Sequence, residues 1–553
     1  MFRKIFTAVL LCTIFLLQNI CAAAILKSGN CGDGVKWMLE DNGTLTISGR
    51  GKMTDFLIED KSSEQYGWFY HTPWQAVTSN IQKIIVQDGV TSVGSHSFAN
   101  CENLREVVLS NSVNFIGSQA FIGCANLESV TFPASAKLGD NVFKNCNKLK
   151  NLNTVDAGGK ILVASKNINE NEYTRWIKPV NSYLYADGAN LVRVENIGGK
   201  ILVEKYSQDF KLISSQNLNL NFEIWGGFFA GKNFNFIITG KNNPNESDSV
   251  EVIKISKYDK NFNLLDERKI FGANTLKPFE CSAVRCAENN GTLYIHTGHQ
   301  MYKSPDGLNH QASMSIVLNE GDMKVKRLDA FVTYDSMAYV SHSFNQFVLV
   351  DSNKNIVMLD HGDAYPRAGV LTKFKNSSTK IELVNFAGQH GDNATGAALG
   401  GLAETNANYV TAYTYDGFGG DSEDYFGVVK KRQLFVSFTP KNNFSKAATR
   451  TAKYSNPNAN YSYGTPFVIP QNLNGGYIIC NLTKFDGKYF KPTGKILYAQ
   501  YDDSGAQALQ TADAQLSDCQ PILFNGKIVW YVTNNSAPIF YTLDEGGVTS
   551  QKL

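Results

Sequence analysis

The amino-acid sequence predicts a mainly β chain, a short stacked coil followed by a ring of about seven small antiparallel sheets. Three observations carry this expectation. A unit of 23 and then 22 residues repeats in phase between residues 91 and about 150. Beyond residue 153, strand-turn-strand stretches recur at intervals of roughly 45 to 60 residues, the spacing of four-stranded blades. Helical periodicity is nearly absent there, which argues against alternating strand–helix units.

At 553 residues the chain is long enough for two or more domains. Only 18% of residues are charged while 12% are aromatic and 46 are glycine, a balance that favours many strands and turns. Residues 1–24 read as a secretory leader, with Arg3 and Lys4, an apolar run over 5–17 and Ala22-Ala23-Ala24 as a cleavage site. An uncleaved membrane anchor is the alternative. No later stretch stays apolar for the 18 residues a span needs, so no membrane span is expected after cleavage. Losing Arg3 and Lys4 takes the formal charge from +2 to about 0, which disfavours nucleic acid or anionic lipid as a partner.

Residues 25–80 are expected to form a β-hairpin and cap. Val35, Trp37 and Leu39 alternate, Asp41-Asn42-Gly43 turns the chain, and Leu45 and Ile47 alternate again. Trp68, Pro73 and Trp74 mark a loop and short helix. That Trp pair either covers an apolar end or offers a sugar-binding surface. From 81 to 155 the repeats align Phe98 with Phe121 and Phe143, Cys101 with Cys124 and Cys146, and Leu104 with Leu127 and Leu149. Same-position residues stack between coils, so these columns predict a continuous core.

The stretches SGNCGDGVKWMLEDNGTLTISGRGKM and VTSVGSHSFANCENLREVVL closely resemble the BspA-like leucine-rich repeat proteins, surface or secreted proteins of bacteria and some protists. The resemblance covers about residues 27–152. It implies adhesion and binding to other cells, and no catalytic residue. With only about three repeats the coil has apolar ends, which need a cap from 25–80 or docking on the next domain. Residues 156–553 are expected to form a β-propeller, with a strand at 158–165 completing the last blade, 515–550. A split pair of β-sandwiches is the alternative. SYLYADGANLVRVE, MYKSPDGLNHQ and DHGDAYPR resemble propeller domains that follow BspA-type repeats in secreted bacterial proteins.

Six of the eight histidines lie between 296 and 390. His296, His299, His310, His342, His361 and His390, with Asp363 and Arg367, are the candidate ligand-binding residues at the propeller mouth. No cofactor is expected, but a convergent set could hold a divalent metal or an anion. The alternative is scattered structural histidines. HxxH on a strand points His296 and His299 to opposite faces. Asp360, Asp363 and Arg367 could pair within one turn. Asp351-Ser352-Asn353-Lys354-Asn355 spaces its oxygens like a calcium loop but lacks that loop's glycine and glutamate.

Ten cysteines become eight after cleavage. Cys101, Cys124 and Cys146 read as buried apolar groups. Cys281 with Cys286, and Cys480 with Cys519, are disulfide candidates. The leading expectation is a secreted or cell-surface adhesion protein that binds extracellular proteins or glycans through its coil and propeller face, more a binder than an enzyme. The rival is an extracellular propeller enzyme acting on polysaccharide or an anionic ester at a histidine-bearing channel.

Overall fold

The computed structural model describes residues 23–60, 67–133, 135–149, 151–155, 161–168, 177–197, 199–220, 222–391, 395–417, 431–456, 458–487 and 490–552. Residues 1–22 of the expected leader lie outside them. The chain divides into two compact units, 1–164 and 165–553. Among the described residues no helix is long and apolar enough to cross a membrane.

The first unit is a parallel coil. Thr44–Gly49, Lys83–Val86, Glu106–Leu109, Ser129–Pro133 and Asn151–Val155 pair in parallel, one strand per turn of chain. A narrower parallel set runs through Val90–Val93, Phe115–Ile116 and Lys137–Leu138. The repeats force this arrangement because each unit buries its apolar positions only against the same positions of its neighbours. The Phe98 and Phe121 rings stack at 5.3 Å and those of Phe121 and Phe143 at 5.7 Å. Trp74 heads the column, stacked on Phe98 at 5.1 Å, and its Nε1 donates to the Ser97 carbonyl. Trp74 is buried, so it covers the apolar end and offers no surface for a sugar, while the Trp68 side chain lies outside the described residues.

The same sheet closes both ends of the coil with antiparallel strands. Val35–Glu40 pairs Thr44–Gly49, and Ile25–Gly32 lies beyond it. At the far end Ile161–Val163 pairs Asn151–Val155. This corrects the expected role of 158–165. The strand at 161–163 belongs to the coil, and only Ser165–Lys166 joins the second unit, pairing Asn534–Ser536.

The second unit is a propeller of seven sheets, spanning 182–219, 224–271, 275–329, 343–385, 397–454, 461–513 and 522–552. Each is a meander whose first strand lines the axis. Alternation along a strand sends successive residues to opposite faces, so each blade packs on two neighbours. On the strand Gly475–Phe485, Ile478 faces the fifth-blade cluster with Val410, whereas Ile479 faces the seventh with Trp530. Gly400 permits close approach of blades five and six, since a Cβ there would meet the Pro466 carbonyl.

The turn between third and fourth strands repeats in the first three blades. Phe210, Phe262 and Met323 are buried there at φ of 59°, 63° and 53°. Side chains hold this left-handed backbone. Asp259 Oδ1 accepts from the amides of Asn261 and Asn263, both at 2.9 Å, and Ser207 Oγ accepts from Lys211 at 3.2 Å.

The ring closes between blades seven and one around Arg193. Its Nη1 donates to Glu204 at 2.6 Å, and its Nη2 donates to Glu195 and to Ser165 Oγ, both at 2.6 Å. Tyr531 of blade seven donates to Glu195 at 3.0 Å, and its ring lies 5.1 Å under the guanidinium. All five side chains are buried.

None of the eight described cysteines is in a disulfide, so neither expected bridge forms. Cys480 points into the apolar seam with blade five. Cys519 is buried near Asp518, Glu195 and Arg193, toward blade one, so a sheet separates the two sulfurs. Cys286 packs into the seam with blade two, and Cys281 lies beside Gln311 of its own blade.

Candidate functional site

In a four-stranded meander, the turn between strands two and three emerges at the same end as the crossing to the next blade. One face of the propeller is therefore built from turns such as 304–308 and 363–367 and crossings such as 330–342 and 386–391. Most of the candidate residues sit at or just below this face.

The structure divides the histidines among separate partners. His296 lies fully buried on Thr292–Lys303. Its Nε2 meets the Asp360 carboxylate at 3.0 and 3.1 Å, and its Nδ1 shares a 2.8 Å hydrogen bond with Ser315 Oγ. Asp360 in turn accepts from Ser343 Oγ at 3.2 Å. This chain ties blade three to blade four, so Asp360 serves His296 and not the 363–367 turn. His299, three residues along, shares a 2.8 Å hydrogen bond with Thr275. Burial pushes its imidazole down to about 3.

His310 and His342 do meet, with Nδ1 to Nε2 at 3.0 Å and rings stacked at 5.3 Å. One nitrogen of that contact must be bare, since two N–H groups cannot point at each other. His310 Nε2 also meets Asp306 at 2.6 Å. Burial, then the neighbouring His310, hold His342 below the usual imidazole range. Its Nδ1 stands 4.0 Å from Asp363. Asp363 accepts from Arg367 Nη1, while Arg367 Nε donates to the Ala387 carbonyl at 2.8 Å, so this pair fastens the turn to the next crossing. The His390 ring stacks on the exposed Tyr365 at 5.1 Å. Among the described residues no three His, Cys, Asp or Glu side chains gather closely enough to hold a metal ion.

Asp351 spends its carboxylate on its own turn, accepting from the amides of Asn353 at 2.9 Å and Asn355 at 2.7 Å, and from Tyr409 at 2.6 Å. That is a β-turn lock.

The concave site lies on the axis. A cavity of about 240 Å³ is lined by residues from the entries of blades one and three to seven. Of the candidates only His361 reaches it. Its Nε2 shares a 2.7 Å hydrogen bond with Thr395, and burial, then Arg432 and Arg367, push its imidazole down to about 3. Arg285 and Asp518 also line the cavity, and sequence reasoning missed both. The Arg285 guanidinium lies 4.9 Å over the Phe347 ring. Asp518 Oδ2 accepts from the Asn181 amide at 2.9 Å, and burial pushes this carboxyl up to about 7. The available signal was a lone arginine in the apolar run SAVRCA, visible only once the inner strand is placed.

The repeats match a known family model. Residues 76–191 match the BspA type leucine rich repeat region in six copies. No curated protein matches the chain. A leucine-rich repeat protein from Eubacterium ventriosum is similar at 20% identity and TM-score 0.18, over 26% of this chain and 49% of that one, so the match spans about half its length. An alpha-L-arabinanase from Cellvibrio cellulosa is similar at 10% identity and TM-score 0.31, over 62% of this chain and 100% of that one. The β-propeller domain of the Trilobed protease from Pyrococcus furiosus gives 8% and 0.34, over 68% and 96%. The chain thus carries a BspA-type leucine-rich repeat region and, as its second unit, a seven-bladed β-propeller.

Proposed function

We propose that this is a recognition protein working outside the cell, whose coil binds protein and whose propeller mouth binds a glycan. One observation carries the reading. The buried histidines of the propeller face are tied to the framework: His296 to Asp360, His299 to Thr275 and His361 to Thr395. Such groups hold the shape of a mouth and are not poised to transfer protons to a ligand. The BspA-type repeats and the leader expected at 1–24 support a place at the cell surface.

The test is a glycan array and a pull-down on cell-surface protein with the full chain, followed by chromatography of the bound polysaccharide. Saturable capture with the polysaccharide unshortened is the expected result. Shortened products would overturn the reading in favour of an extracellular enzyme.

A further inference from the structure

The axial cavity has an unusual charge balance. Arg285, on the inner strand Arg285–Asn289, has no hydrogen bond or ion pair among the described residues, and its Nε is buried without a partner. A guanidinium taken out of water without an anion is unfavourable. Lys178 is a second cation, at the rim. Among the described lining residues Asp518 is the one carboxyl, held largely protonated up to about 7, with the Asn181 amide on its Oδ2 and the Ser182 hydroxyl beside it. Asn345 donates to the Leu399 carbonyl at 2.9 Å, while its own Oδ1 has no partner among the described residues. The cavity therefore offers a guanidinium without an anion and an amide oxygen, Asn345 Oδ1, lacking a donor.

We propose that the axial cavity binds a hydroxylated organic carboxylate of monosaccharide size, a uronic acid, with Arg285 holding the carboxylate. In the recognition reading, on which this part rests, the ligand is the acidic end residue of a glycan. A planar guanidinium fork matches a planar carboxylate at two points. A ligand hydroxyl supplies the donor that Asn345 Oδ1 lacks, and another can accept from the protonated Asp518 carboxyl. Inorganic phosphate brings no ring to cover the apolar wall that Phe344 and Phe467 present, so it fits less well. A cavity of about 150 Å³ admits a benzene ring, so one of about 240 Å³ has room for a sugar ring. Phe344 and Phe467 give such a ring an apolar wall.

The test is isothermal titration of the full chain with sodium glucuronate, glucose and inorganic phosphate. Glucuronate is expected to bind one-to-one, with glucose and phosphate weaker by roughly tenfold or more. Arg285→Ala should lose roughly tenfold or more, and Arg285→Lys part of that. Dicarbonyl labelling of arginine, read by mass spectrometry on the unmodified protein, covers the case where a variant fails to fold. Arg285 should label in buffer and be protected by glucuronate. Equal binding of glucose, tighter binding of phosphate, or unprotected Arg285 would overturn the site. If glucuronate binds but no acidic glycan is captured, the recognition reading falls and the site stands. If Arg285→Lys and Arg285→Ala capture acidic glycans undiminished, the site falls and the recognition reading stands.

Discussion

The coil and the propeller solve the same problem, where a repeat stops, by different means. The coil ends in backbone. Ile25–Gly32 with Val35–Glu40 at one end, and Ile161–Val163 at the other, give antiparallel partners to the outermost parallel strands, and Trp74 covers the aromatic column. The ring has no ends once blade seven meets blade one, but that seam holds a buried Arg193 between Glu195 and Glu204. A backbone cap spreads its contribution over many small contacts. A buried ion cluster concentrates it, because removing one member leaves the others charged and unpaired.

The largest effect should therefore come from Arg193. Arg193→Met leaves two buried carboxylates facing Tyr531 and Tyr206 and should destabilise the propeller by about 3–5 kcal/mol. Hydrogen-exchange mass spectrometry in urea separates the units by their peptides. Propeller peptides should open earlier while coil peptides keep their midpoint.

Acid should widen the contrast by a little less. His299 and His361 stay neutral in the folded propeller down to about 3, against 6.5 in the unfolded chain. The stability this confers is complete above pH 6.5 and is lost as pH falls toward 3. At pH 5.5 each should cost about 1.4 kcal/mol. Asp518 acts oppositely. Its carboxyl is held up to about 7 against an ordinary 3.8, so it weakens the fold as pH rises through that window. Asp518→Asn removes the offset and should show the histidine loss cleanly in the propeller midpoint between pH 7 and 5.5. The coil's shifted groups are thiols, all raised, Cys31 to about 12, and they stay neutral throughout.

Phe121→Leu breaks two ring contacts in the coil column and should cost about 1–3 kcal/mol there, at about 0.5–1.5 per contact. The propeller midpoint should not move. The smallest change is Lys83→Ala, which removes a half-exposed pair with Glu106 at 2.8 Å and should cost under about 1 kcal/mol in the coil's urea midpoint.

The contrast also explains what the sequence made legible. In the coil Phe98 packs on Phe121 and Phe121 on Phe143, so one residue type recurs at one position and the period stands out. Blades pack face to back: Ile478 and Ile479 serve different neighbours, and apolar character is all that must recur. Hence the blade number and the YSQDFK, YDKNFN and NEGDMK turns could be read, but the strand closing the ring could not. Ile161–Val163 looks like either edge strand until its partner is known. Of the candidate histidines only His361 lines the axial cavity. The histidine region did not mark Arg285 or Asp518, because their meeting on the axis depends on ring closure between residues 233 positions apart in sequence.

The axial cavity as the seat of binding is tested most directly by hydrogen exchange of the full chain with and without sodium glucuronate. Protection should appear in peptides covering 283–289, 344–347 and 516–518, the parts of the lining that bear Arg285, Asn345 and Asp518. Protection confined to the coil, or an unchanged exchange pattern along those three segments, would contradict it.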